Sequence, residues 1–174
     1  TYFREYLRSY MKTWVNENPK PDGSKYNLYL DGLKVYTTID SKMQIYAEAA
    51  VKAHMKQLQK AFDAENNRKK NATYPFVKVT KDEYNNLIER AMKSSNRWIH
   101  LKYLGYSEKE IRESFNKKVE MRVFSWKGER DTVMTPRDSI LYYKAFLRTG
   151  MMSMEPQTGH IKAWVGGINY KHFQ

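Results

Sequence analysis

Cysteine is absent from the 174 residues, which removes disulfides, thiolate metal sites and thiol nucleophiles together. No apolar run approaches the ~20 residues that cross a bilayer. The opening Thr1-Tyr2-Phe3-Arg4-Glu5 lacks the charged-then-apolar order of a signal peptide. Histidine is scarce: His54, His100, His160 and His172 form no i+3 or i+4 pair and no ligand-spaced acidic cluster, so no metal site is expected. The eight glycines include neither G-x-G-x-x-G nor G-x-x-x-x-G-K-[ST], so no nucleotide cradle and no cofactor is expected. Acidic residues are the minority, 19 against 31 Lys and Arg, for a net charge of +12.

What remains is enough for one ordinary domain, or one with a small satellite. A hydrophobic fraction of 41% fills a core, and a mean hydropathy of −0.83 makes that core thin under a polar surface. The basic excess is spread along the chain. It suits an anionic partner or a merely soluble surface. With 14 tyrosines it also raises a basic nucleic-acid-binding domain as an alternative, one that predicts steeply salt-dependent binding. Basic residues alternate with acids and no recognised binding motif appears, so a nucleic-acid partner is not expected.

Tyr2, Phe3, Tyr6, Leu7, Tyr10, Met11 and Trp14 recur at helical steps and predict an amphipathic helix. Asn16–Ser24 reads as a linker or loop. Tyr26–Leu30, Asp31-Gly32 and Leu33–Ile39 predict a hairpin, after which Asp40 caps a long helix reaching Phe62. Residues 64–73 turn polar and mark a boundary. A short strand is expected over Phe76–Val79. Thr80 with Glu83 and Ser107 with Glu110 form two capping boxes, with Ser95–Leu104 helical between them and stopped by Gly105. Val119, Met121 and Val123 alternate with polar residues, turn near Lys127-Gly128 and return through Thr132–Met134 as a hairpin. Thr135 caps a helix that opens on Pro136 and runs to about Arg148. Met151–Glu155, Pro156–Gly159 and His160–Val165 make a last hairpin. The fold class expected is α+β.

Ser9-x-x-Lys12, Ser114-x-x-Lys117, Ser94-Ser95-Asn96 and Arg148-Thr149-Gly150 imitate the S-x-x-K, second-serine and K-T-G set of serine acyl-transferases. Ten serines and 21 lysines supply about one S-x-x-K by chance. A nucleophile of this kind opens a helix so that backbone donors and the lysine converge on it. Ser9 is expected inside a helix, Ser114 near the end of one, and Arg148–Gly150 at a helix C-terminus. The set reads as a decoy, and no catalytic residue is expected in this fragment.

Two segments carry a resemblance. Gly32-Leu33-Lys34-Val35-Tyr36-Thr37-Thr38-Ile39-Asp40, followed by Gln44 and Ala47–Val51, looks like the start of a transpeptidase domain in class A penicillin-binding proteins. Met154–Tyr170, with Glu155-Pro156-Gln157-Thr158-Gly159 and Trp164-Val165-Gly166-Gly167, resembles the hairpin before that family's nucleophile motif. Met121–Gly150 is similar to Bacteroides-type members. The resemblance implies a fragment of a bifunctional peptidoglycan synthase, glycosyltransferase and serine-type D-Ala-D-Ala transpeptidase. The parent would be membrane-anchored and work on the periplasmic side of the cytoplasmic membrane. The family's catalytic glutamates would precede Thr1 and its catalytic serine would follow Gln174.

Residues 1–25 then read as an interdomain linker helix and loop. Residues 26–62 and 135–174 read as the N-terminal part of the transpeptidase domain, a partial antiparallel sheet with flanking helices. Residues 63–134 read as an inserted accessory domain, mainly helical with one hairpin. The resemblance implies that this insertion serves interaction or regulation, with an envelope activator protein or peptidoglycan as partner. A purely structural spacer is the alternative. The strands of 26–39 and 151–165 are expected to join one sheet.

Overall fold

The structure, a computed structural model, describes residues 1–173. In chain order it contains α1 (Tyr2–Glu17), α2 (Ser41–Glu65), α3 (Lys81–Lys93), α4 (Asn96–Tyr103), α5 (Glu108–Phe115), β1 (Val119–Val123) and β2 (Arg130–Met134). Then follow α6 (Pro136–Lys144), β3 (Met151–Met154) and β4 (Ile161–Val165). The strands form two separate antiparallel pairs, β1–β2 and β3–β4, so the class is α+β. Two compact units divide the chain: Thr1–Met55 with Arg148–Gln174, and Lys56–Leu147. These edges rest on packing, and they differ from the 63 and 134 read from the sequence. Helix α2 runs from one unit into the other.

In the first unit, β4 lies between two helices because its alternate side chains point opposite ways. Ala163 and Val165 are buried with Ala47 of α2, and Val51 packs against them. Trp164 turns the other way and meets Phe3 and Tyr6 of α1, with ring centroids 5.9 and 5.1 Å away. Tyr2 extends this contact beyond the strand. Its hydroxyl donates to the carbonyls of Phe173 (2.5 Å) and Asn169 (3.2 Å), and its ring lies edge-on to Tyr170 at 5.0 Å. A Cβ on Gly166 would stand 2.5 Å from Cβ of Tyr2, so glycine is what lets the helix approach so closely.

The edge of β4 away from β3 is closed without a strand. Thr38 donates its hydroxyl to the Ile161 carbonyl at 2.7 Å, and the Asp40 amide donates to Lys162 at 2.9 Å. Gln44 completes the edge: its carboxamide donates to the Trp164 carbonyl at 2.9 Å and accepts from the Trp164 amide at 2.7 Å. Among the described residues no strand pairs with the other edge of β3. Its Met151, Met152 and Met154 are exposed.

The hairpin expected over 26–39 is not formed. Asn27 accepts from the amides of Tyr29 and Leu30, and Asp31 accepts from the amide of Asn27 and from Lys20 at 2.7 Å. These side-chain bonds to nearby backbone close a local loop that competes with a ladder. Among the described residues Leu33–Ile39 therefore has no strand partner; bonds at Thr38 and at the following Asp40 tie its end to β4, but not as part of one sheet. Asp40 does cap α2, accepting from the Met43 amide at 2.9 Å.

The strand expected over Phe76–Val79 is also missing. Lys78 has φ of +58°, which interrupts extended backbone. The Phe76 carbonyl is taken by side chains, Asn71 at 2.7 Å and Thr73 at 3.1 Å. The polar stretch 64–73 accordingly begins as the last residues of α2 and continues from Asn66 as an ordered turn. Buried Asn66 donates to the Pro75 carbonyl at 2.8 Å and accepts from Asn71 at 2.8 Å.

Candidate functional site

The unit Lys56–Leu147 carries 20 Lys and Arg against 12 Asp and Glu, so most of the basic excess lies here. Its core joins Ile88 and Met92 of α3, Trp98 of α4, Ile111 and Phe115 of α5, and Leu141 of α6. The helices start where their caps dictate. Thr80 accepts from the Glu83 amide at 3.2 Å while Glu83 accepts from the Thr80 amide at 2.8 Å. Ser107 and Glu110 repeat the exchange at 3.3 and 2.9 Å. Ion pairs then lace α3 to α5. Arg112 binds Glu89 and Glu108 and lies 5.4 Å from the Trp98 ring. The bond from Arg112, then the nearby Lys93, holds the Glu108 carboxyl below the usual range.

Gln59, 4% exposed, fixes the end of α6 within this unit. It donates to the Ala145 carbonyl at 2.9 Å and accepts from the Leu147 amide at 2.8 Å. Those are groups that further helix would have used. Helix α6 therefore stops at Lys144, short of the Arg148 expected from sequence.

Helix α4 ends in a Schellman turn. The Tyr106 amide donates to Leu101 at 3.1 Å, the Gly105 amide to Lys102 at 3.0 Å, and Gly105 adopts φ of +86°. Trp98 and Leu101 face the core. Ile99 and Tyr103, one turn apart on another face, are 58% and 86% exposed, and Leu104 and Tyr106 are exposed in the turn. From Ala91 to Ser107 there is no acidic residue, while Lys93, Arg97 and Lys102 are basic.

Beside α6, a shallow cleft of about 490 Å³ is lined by Asn67, Arg68, Tyr74, Met134, Asp138 and Tyr142. Arg68 reaches Asp138 at 3.9 Å, and Tyr142 donates its hydroxyl to the Phe124 carbonyl at 2.6 Å. Burial raises the pKa of the Tyr142 phenol, against the opposing effect of Arg130, which lies over its ring at 5.6 Å.

The residues that imitate an acyl-transferase set lie apart in role. Ser9 is inside α1. In the second unit, Ser94 and Ser95 donate to the carbonyls of Ala91 and Met92 at the end of α3, and Ser95 also caps α4. Ser114 donates to Ile111 at 2.7 Å in the last turn of α5, with Arg97 near it. Arg148–Gly150 is not a helix terminus as expected. It is the coil leading into β3, with Arg148 over the Phe173 ring at 5.2 Å. His160 lies 3.8 Å from Glu155; His54 and His100 are exposed. Among the described residues no group of three His, Cys, Asp or Glu is placed to hold a metal, and no helix is long and apolar enough to cross a membrane.

Residues 70–147 match the penicillin-binding protein middle domain. The match runs from the Asn71 turn through α6 and so covers nearly all of the second unit. It supports reading the chain as a segment of a penicillin-binding protein, a protein of the cell-wall machinery. No curated protein and no solved structure matches the chain. No motif in the sequence marks the α4 tip as a site. Its signal lies in the apolar pattern instead: Trp98, Ile99, Leu101 and Tyr103 are apolar on more faces of a short helix than one core contact can bury. Gln59 gave no signal, because its partners lie over 80 residues away.

Proposed function

We propose that the chain is a non-catalytic segment of a bifunctional peptidoglycan synthase, whose whole enzyme polymerises glycan and cross-links peptides. In this reading the insertion, residues 63–134, is an accessory domain for interaction or regulation, its partner an envelope activator protein or peptidoglycan. The parent is a class A, Bacteroides-type member that works on the periplasmic side of the cytoplasmic membrane. The middle-domain match over residues 70–147 carries the reading. The Gly32–Val51 and Met154–Tyr170 resemblances on either side of the insertion add to it. The engaged serines favour the same view, since Ser95 and Ser114 spend their hydroxyls on helix carbonyls rather than on a lysine.

A fluorescent penicillin separates the possibilities. The 174-residue chain is expected to stay unlabelled while the parent enzyme is acylated; a covalent adduct on the segment would overturn the non-catalytic reading. Affinity capture with the segment, from envelope extract and on isolated peptidoglycan, tests the accessory role. Retention of neither an envelope protein nor peptidoglycan would count against it.

A further inference from the structure

We propose that the tip of α4 and the turn after it, presenting Ile99, Tyr103, Leu104 and Tyr106, is a membrane-contact site that enters the headgroup layer of an anionic phospholipid surface. This goes beyond the accessory role above and does not require it.

Four observations meet at the tip. The side chains are apolar or amphipathic and stand in solvent, Tyr103 at 86% exposure. They project from a helix end and a tight turn whose backbone is fixed by the Tyr106 and Gly105 bonds, so little ordering remains to be done on contact. The chain from Ala91 to Ser107 is free of acid, and Lys102 sits beside Tyr103. The acids that follow are already engaged: Glu108 with Arg112 at 3.1 Å and Lys93 at 3.9 Å, and Glu110 in the cap of α5.

Tyrosine and leucine at the water–hydrocarbon boundary, with lysine reaching back to headgroups, is the composition of interfacial anchors. Charge complementarity selects anionic lipid, since basic groups near such a surface each add to binding. A protein partner fits less well. A stable protein interface needs about 800 Å² from each side, more than four side chains on a projecting tip present, whereas shallow, reversible insertion uses a few.

The test uses the whole 174-residue chain and vesicles of phosphatidylglycerol with phosphatidylcholine, against phosphatidylcholine alone. Co-sedimentation is expected with the anionic vesicles and is weakened by salt. The paired change Tyr103→Ser and Leu104→Ser, and separately Lys102→Glu, each lower the partition coefficient on the order of tenfold. All three positions are exposed, so each variant stays folded, as a cooperative melting curve checks. Because the chain has no cysteine, Ile99→Cys carries a single environment-sensitive fluorophore; its emission shifts to the blue on binding if the tip inserts. Vesicle binding that ignores the paired serine variant, or a fluorophore that stays in water, means diffuse charge alone and overturns the proposal. Absence of vesicle binding, with cross-linking from position 99 only to protein, overturns it in favour of a protein partner.

Discussion

Two glutamines on α2, Gln44 and Gln59, do the same work in different units. Each carboxamide gives and takes one hydrogen bond with main chain, as a neighbouring peptide group would, at Trp164 in one case and at Ala145 and Leu147 in the other. Replacing Gln59 by leucine keeps the bulk and strands a buried carbonyl and amide, an expected loss of about 2–4 kcal/mol. Gln44→Leu, at a half-buried site, is expected to lose about 1–2 kcal/mol. Urea denaturation of each variant measures both. Gln44 was legible only as part of a family motif and Gln59 not at all. A polar residue on a helix reads as solvent-facing unless its distant partner is known, and no periodicity encodes a partner 86 residues on.

Elements whose starts are set by neighbours three or four residues away were legible, with strand ends placed to within a residue or two. The capping boxes of α3 and α5, the Thr135 cap with Pro136, and the hairpins β1–β2 and β3–β4 all follow from such local rules. The same locality explains the failure at 26–39, where Asn27 and Asp31 satisfied the backbone first and left Leu33–Ile39 without a partner. The caps also set an acid response. The Glu83 carboxyl is held below the ordinary 4.5 by the Thr80 amide and then its hydroxyl, and Glu110 by the Ser107 hydroxyl and then its amide. Because the folded pKa values are depressed, their stabilisation is present above that ordinary value and fades as pH falls through the folded ones. The melting temperature should therefore drop as pH falls below 4.5, and the pair Glu83→Gln with Glu110→Gln should flatten that drop in circular dichroism melts. Thr80→Ala or Ser107→Ala should each cost about 1 kcal/mol at neutral pH. What local rules left unread was the outer face of α4: they place a helix but not the direction its apolar residues turn, and here Trp98 takes the core while Tyr103 is left in water.

At the scale of the whole molecule, each unit has a core of its own, and substitutions should report on one at a time. Ile111→Ala removes a fully buried side chain from the α3–α6 core and is expected to cost about 2–5 kcal/mol there. Gly166→Ala forces Tyr2 away from the backbone that follows β4 and should cost about 1–3 kcal/mol in the other unit. Calorimetry should show each change moving a different transition; a single transition moved alike by both would contradict separate cores. The contrast between the two sides of the β3–β4 ribbon has a practical outcome. One side is sealed by Thr38, Asp40 and Gln44, while on the methionine-rich side no strand pairs with β3 among the described residues, which leaves its main chain open to another strand. Purified at high concentration, the 174-residue chain should self-associate through that side, scattering more light as it is concentrated. Met152→Lys should keep it dispersed.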